Sequence, residues 1–346
     1  MRKEPNNFDF LRLFAAGLVL VSHLSTLSGT KDNRLLILLD SLNLGGLGVS
    51  IFFVISGYLV MQSWRSDAVL HKYAARRALR IFPGLVAVVL LSMLVLGPLV
   101  SKLSLSEYFR QPSFLRYLDA LLLYPMPFSL PGVFYDNPYP IVVNGSLWTL
   151  PYEAAMYLLL PLFARPRLGD SALYWVSIAA LLIVASAVSG APSFEAPKVW
   201  FMSTTWLYYF GAFFFYGVAL SALQKRLGAP NFALAGVFLL ILILGWQSQW
   251  SGLTRLLFLG YVVIAIGARS TPILESAGRY GDFSYGIYIY AFPVQQTLVH
   301  FGLARNVFLN AFYLTTITLL LAVLSWLFVE KPALLMKPSK PLKDTP

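Results

Sequence analysis

Cysteine is absent from all 346 residues. No disulfide framework, thiolate metal site, iron–sulfur cluster or cysteine nucleophile is therefore open to this chain. Histidine is nearly absent as well: His23, His71 and His300 stand far apart, which argues against a zinc site. Charge is scarce. Asp, Glu, Lys and Arg together make up 12% of the residues, about half the share found in soluble domains, too little to cover a water-facing surface. Neither a Walker A run nor a dinucleotide-binding glycine fingerprint occurs, and there is no internal repeat, heptad pattern or low-complexity tract. What is there is apolar: 58% of the chain, with a mean hydropathy of +0.69. That composition excludes a disordered chain. The fold class left is an all-α, polytopic integral membrane protein.

A bilayer core about 30 Å thick takes about 20 apolar residues per helix. About ten such stretches are expected, near 8–28, 44–64, 82–101, 145–164, 171–189, 199–222, 231–247, 252–268, 284–301 and 307–329. The third and fourth are separated by a long loop rich in proline and aromatics (Pro112, Pro125, Pro127, Pro131, Pro138, Pro140). It is expected to hold a short helix near Ser113–Leu123 and to fold back in part into the bundle. An even number of spans puts both termini on one side. Of the 26 basic residues, 18 fall in the loops of that side and 8 in the opposite set. By the positive-inside rule both termini are cytoplasmic and the long loop is outside. The net charge of +11 is thereby a matter of topology, and nucleic acid is not an expected partner. Arg2 and Lys3 resemble the basic start of a signal peptide, yet the apolar run that follows is too long for one, carries Arg12 and His23, and lacks a small-residue cleavage site. A retained first helix is expected. Residues 1–334 read as one transmembrane domain and 335–346 as a short cytoplasmic tail, with no second soluble domain.

Ionisable residues inside spans are costly, so each is a functional hypothesis. Arg12 and His23 are eleven residues apart in the first span. That is three turns plus about 20°, so they share one face, about 16 Å apart along the axis. The alternative for Arg12 is a snorkelling side chain paired with Asp9; for His23 it is an interhelical hydrogen bond. Glu153 lies in the fourth span. If that span enters from outside near residue 145, Glu153 is about 12 Å down and His23 about 8 Å down, close enough to meet. Imidazole plus carboxylate is the usual equipment for taking a proton from a hydroxyl. The alternative for Glu153 is an ion pair with an arginine. Pro151 breaks the helical ladder nearby, as is tolerated beside a cavity. On the cytoplasmic side, Arg76 and Arg77 stand four and three residues before Arg80, so all three are expected to share one helix face. Three guanidinium groups suit a phosphate-rich ligand; the alternative is topology bias plus contact with anionic lipid. Ser56 and Gly57, in Phe52-Phe53-Val54-Ile55-Ser56-Gly57-Tyr58, permit close helix approach, which taken alone is a packing signal.

In this order the pieces resemble the acyltransferase-3 family of bacterial membrane acyltransferases. The matching segments are Asn7-Phe8-Asp9-Phe10-Leu11-Arg12 with His23; Phe52 to Tyr58; Arg76, Arg77 and Arg80 with Ile81-Phe82-Pro83; Ser146-Leu147-Trp148-Thr149-Leu150-Pro151-Tyr152-Glu153; Phe283-Ser284-Tyr285-Gly286-Ile287-Tyr288-Ile289-Tyr290; and Val329-Glu330-Lys331-Pro332. They cover nearly the whole chain. Many members carry a histidine where this chain has Ala291, so a second-histidine role is absent or relocated here.

The resemblance implies an O-acyltransferase of the bacterial inner membrane. It would move an acyl group, typically acetyl from acetyl-CoA, to a sugar hydroxyl of lipopolysaccharide, exopolysaccharide or a similar glycan. No metal is called for. The expected roles are His23 and Glu153 in catalysis, and Arg12, Arg76, Arg77 and Arg80 in holding acyl-CoA. Ser56, Trp148 and Tyr152 would line the substrate site, with Tyr152 or Ser56 steadying the oxyanion. Partners would be acyl-CoA, a carbohydrate acceptor and membrane lipid. The rival reading is a proton-coupled transporter or flippase of a glycan precursor, which buried Arg, His and Glu would also suit. Against it, the chain shows neither duplicated halves nor paired broken helices.

Overall fold

The computed structural model describes residues 5–29, 33–164 and 169–338. The architecture is all-α apart from one two-residue hairpin, β1 (Lys198–Val199) with β2 (Met202–Ser203). In chain order the helices are α1 (Phe8–Thr26), α2 (Arg34–Ser41), α3 (Leu44–Ser66) and α4 (Leu70–Val100). Two short helices in the long loop follow, α5 (Leu105–Arg110) and α6 (Pro112–Arg116). Then come α7 (Leu150–Phe163), α8 (Ala172–Val188), α9 (Thr204–Leu227) and α10 (Phe232–Leu244). The chain closes with α11 (Ser251–Gly267), α12 (Ser284–His300) and α13 (Val307–Leu335).

Every apolar run picked out above contains a helix. Among the described residues, five helical stretches are long and apolar enough to cross a membrane: Phe8–Thr26, Arg34–Ser66, Leu70–Val100, Thr204–Leu227 and Val307–Leu335. The helices α8, α10 and α11 are apolar but shorter. Leucine, valine and phenylalanine side chains such as Leu158, Leu173, Val188 and Phe328 point outward. Exposed apolar surface on that scale needs hydrocarbon around it, and the protein is a multi-pass membrane protein.

The centre of the bundle is the α3–α9 pair. Added Cβ atoms at Gly57 and Gly217 would collide with the carbonyls of Phe214 and Val54, so the two backbones touch and only glycine fits. Gly57 therefore serves packing, as its sequence context suggests. The α1 helix lies on the other side of α3, and α12 packs on both α1 and α13. These contacts bring the first, second and ninth apolar runs together around one volume.

The long loop holds α5, α6 and a 3₁₀ turn at Tyr117–Leu122, where a short helix is expected. It then folds back into the bundle. Asn137 Nδ2 donates to Gln296 O (2.9 Å), and Asn144 Nδ2 donates to Ile289 O (2.8 Å). These side-chain amides satisfy the carbonyls of α12 while irregular backbone lies at depth. The segment Gly145–Thr149 is a 3₁₀ turn that feeds α7. It is already inside the protein: Asn144, Ser146 and Leu147 are all buried.

Candidate active site

A cavity of about 380 Å³ opens between the N-terminal end of α1 and the neighbouring ends of α4, α12 and α13. Its cations are Arg12, Arg77, Arg80 and Lys337, and its anions are Asp9, Asp282 and Glu153. At this arginine end Asp282, two residues before α12, is the organising group. It accepts from Arg80 Nη2 at 2.7 Å and from Arg12 Nη1 at 3.2 Å. Burial alone would raise the Asp282 carboxyl; the Arg80 and Arg12 guanidinium groups outweigh it and hold the carboxyl well below the usual carboxylate range. Arg12 also reaches Asp9 at 3.4 Å, so the pairing with Asp9 is real and shared with Asp282.

Arg77 is held differently. Among the described residues it makes no ion pair. Its guanidinium lies 5.6 Å over the Tyr157 ring, and its buried Nε has no partner. Lys337, just past α13, is likewise without a carboxylate partner among these residues. Burial, reinforced by Arg80, Arg77 and Arg12, brings its ammonium down to about 8. An anion at this position would relieve both groups.

Arg76 does not join them. Neighbouring helical residues point about 100° apart, and Arg76 turns away from the cavity that Arg77 lines. It is buried, with Nη1 2.8 Å from Asp67 Oδ2 and Nη2 3.1 Å from Asp67 O. Its hydrogen bond holds the Asp67 carboxyl below its ordinary value against the opposing effect of burial. Arg76 is thus a tie across the α3–α4 corner, and the expectation that it shares a ligand-binding face with Arg77 and Arg80 is corrected.

Glu153, in the first turn of α7, lines the cavity with Ser56. Its Oε1 accepts from Ser56 Oγ (3.2 Å) and from Tyr157 Oη. The expected contact with His23 is not made. The reason is the entry of the chain: Asn144 to Thr149 is already buried, so depth cannot be counted from residue 145 as though it lay at the surface. The His23 ring is level with Ser146, whose Oγ is 3.0 Å from His23 Nε2. Glu153 lies seven residues further along, about 12 Å away at 3₁₀ and α rises. His23 also meets the Phe292 ring edge-on at 5.1 Å, and is itself partly exposed.

Between the cavity and His23 stands a layer made of Phe52, Thr149 and Tyr288. All three line the cavity, whereas His23 and Ser146 do not. Tyr288 Oη donates to Ser146 O at 2.8 Å. Its single hydrogen is thereby used, so Thr149 donates to Tyr288 in their 2.5 Å contact. The Phe52 ring closes on Tyr288 at 5.8 Å.

Trp148 and Tyr152 face elsewhere. Trp148 packs against Phe194, Trp206 and Phe210, and Tyr152 Oη accepts from Ser203 N at 3.0 Å. They anchor α7 to the β1–β2 hairpin and α9, and neither lines the cavity. Of the expected residues, the cavity gathers Arg12, Arg77, Arg80, Ser56 and Glu153 and leaves out Arg76, Trp148, Tyr152 and His23. Ser146, Thr149, Tyr157, Tyr288, Asp282 and Lys337 are additions. Ser146, Thr149 and Tyr288 belong to segments already singled out by pattern; Asp282 and Lys337 had no signal beyond their charge. Among the described residues, no group of three His, Cys, Asp or Glu side chains is placed as metal ligands.

A family model described as an acyltransferase domain matches residues 6–330. The chain belongs to the acyltransferase-3 family. It is an enzyme, a membrane acyltransferase. This acyltransferase is 33% identical to the O-acetyl transferase of Shigella phage Sf6 over 341 residues, 95% of this chain and 96% of the relative. It is 30% identical to Nodulation protein 10 of Rhizobium leguminosarum bv. viciae, over 96% of this chain and 94% of that one. With O-acetyltransferase OatA of Staphylococcus aureus it shares 27% identity over 94% of this chain but 56% of that protein. No solved structure gives a significant match.

Proposed function

We propose that this protein moves an acyl group, acetyl by the names of its relatives, from cytoplasmic acyl-CoA to a hydroxyl of an extracytoplasmic or lipid-linked sugar. The observation that carries the reading is the division of the site. One end is a cationic cavity containing a guanidinium and an ammonium that lack carboxylate partners among the described residues; the other is the His23 imidazole beside a hydroxyl. The excess of basic residues on the cavity side supports a cytoplasmic position for that side, where acyl-CoA is made. On this topology about ten spans place both termini inside, in a bacterial inner membrane, and residues 335–346 form the cytoplasmic tail.

Arg77 and Lys337 are the groups offered to the phosphates of coenzyme A. Arg80 is paired with Asp282, and Arg12 with Asp282 and Asp9; both shape the pocket while lending field. The pantetheine arm runs inward past Ser56 and Glu153, along the face that carries Arg12 and ends at His23. His23 takes the proton of the attacking hydroxyl. Glu153, joined to Ser56 and Tyr157, is a positioning group on the donor path and balances the arginines; it does not orient the imidazole.

The test is acyl transfer by purified protein in lipid nanodiscs, with labelled acetyl-CoA and a panel of bacterial surface glycans. Label on a glycan as an alkali-labile ester is the expected result. Unmodified sugar accumulating inside proteoliposomes would replace this reading with transport.

A further inference from the structure

The donor cavity and the imidazole do not meet in this structure. The cavity is lined at this end by Phe52, Thr149 and Tyr288 and not by His23, while His23, a partly exposed residue, packs against Phe292, whose ring also meets Tyr139. Tyr139 is itself exposed. On the reading above, donor and acceptor would approach this histidine from opposite ends of the bundle. Of the hydroxyls between them, the one that meets the imidazole is Ser146 Oγ, 3.0 Å from His23 Nε2. Taking the acyl-CoA reading above as given, we propose that Ser146 is the nucleophile that carries the acyl group between the two sides as a covalent ester.

Its setting is that of an activated hydroxyl held in register. The Ser146 N–H donates to Asn144 Oδ1 at 3.2 Å, and Asn144 Nδ2 is pinned to Ile289 O at 2.8 Å. The Ser146 carbonyl accepts from Tyr288. With both peptide groups engaged, Oγ is left to face the imidazole. When Oγ–H donates to Nε2, the neutral ring keeps its own hydrogen on Nδ1. The hydroxyl this base is arranged to deprotonate is then Ser146's own, the nucleophile–base pairing of covalent acyl transfer. Thr149, one 3₁₀ turn further on, lines the donor cavity, so Ser146 borders the donor's end point. Ser146 itself is buried, which keeps an ester there from bulk water.

In the first half-reaction Ser146 Oγ attacks the thioester carbonyl and its proton passes to His23 Nε2. The carbon–sulfur bond breaks, the thiolate of coenzyme A leaves, and the imidazolium returns the proton to it. An acyl ester on Ser146 and a neutral imidazole remain. In the second half-reaction a sugar hydroxyl gives its proton to His23 and attacks the ester. The bond to Oγ breaks, and Ser146 recovers the proton. No oxidant, reductant or further co-reactant is needed.

The experiment is to incubate the wild-type protein in nanodiscs with radiolabelled acetyl-CoA and no acceptor, quench it in denaturant, and map the label by peptide mass spectrometry. The expected result is about one acetyl per chain on the peptide containing Ser146, chased off by acceptor glycan at least as fast as turnover. Ser146→Ala should abolish labelling and lower turnover by about 10³-fold or more. Ser146→Cys should trap a thioester that hydroxylamine releases at neutral pH, and coenzyme A binding by both variants reports that they fold. Glycan acetylation by wild type without any Ser146 adduct, a label mapped to His23, or Ser146→Ala within tenfold of wild type would each overturn the relay while leaving the acyltransferase reading intact. Failure of wild type to acetylate any glycan and to release any coenzyme A would instead strike the reading on which the relay rests.

Discussion

At the scale of single residues, two adjacent arginines give the sharpest contrast. Arg77 has no carboxylate partner among the described residues and faces the cavity; Arg76 is spent on Asp67. Charge-assisted hydrogen bonds contribute about 1.5–3 kcal/mol, so Arg77→Ala should weaken coenzyme A binding about 10- to 100-fold and leave the melting temperature nearly unchanged. Arg76→Ala should do the reverse: coenzyme A affinity holds, and thermal stability drops because a buried Asp67 loses its counter-charge. Isothermal titration and thermal unfolding on the same preparations check both. If the two variants lose coenzyme A affinity equally, the division of roles is wrong. His23→Ala should cut acyl transfer by about 10³-fold, within the range of a lost general base, with donor affinity retained, because His23 lies outside the donor cavity.

Elements decide where those residues end up, and here the sequence was legible in part. The helices follow from ten apolar runs, and the close helix approach at α3 follows from the small pair Ser56 and Gly57. Arg12 and His23 on one face of α1 needed only the helical period. What could not be read was the depth of the fourth run. Its entry, Asn144 to Thr149, is polar and irregular, features that suggest a surface; α12 carbonyls satisfied by Asn144 and Asn137 allow it to be buried instead. That shift moved Ser146, not Glu153, beside His23. Lys337 was hidden for another reason: a lone lysine past the last helix looks like topology until the end of α13 is seen against Arg77 and Arg80. Its placement has a pH signature. Burial and the neighbouring arginines lower its ammonium to about 8 from 10.5, so between these values the folded state binds fewer protons than the unfolded chain. Through this group alone, stability of the free protein should rise with pH across that window. A bound polyphosphate raises the same ammonium, so binding takes up a proton and coenzyme A affinity should fall above pH 8, with a slope approaching about one decade per pH unit. Lys337→Gln should flatten that slope, as titration calorimetry in buffers of different ionisation enthalpy can show; an unchanged proton uptake in the variant would remove Lys337 from the donor site.

For the whole molecule the governing question is which way the cavity faces. A donor made in the cytoplasm needs the arginine end inside, and an acceptor exported to the cell surface needs His23 open to the other side. The distribution of basic residues favours that orientation, and the absence of cysteine makes it directly measurable. Ser66 closes α3 at the arginine end, Ser189 caps the opposite end of the apolar helix α8, and both are exposed. In intact cells a membrane-impermeant maleimide should label Ser189→Cys and spare Ser66→Cys, and permeabilisation should make both reactive. The reverse pattern would put the cationic cavity outside, away from any supply of acyl-CoA. Equal labelling of both before permeabilisation would mean that an even number of spans separates the two positions, and the ten-span arrangement would have to be redrawn. The expected pattern would also suit the proposed direction of the chemistry, in which the acyl group enters past Arg77 and leaves past His23, crossing the Phe52–Thr149–Tyr288 layer at each turnover while coenzyme A stays on the side from which it came.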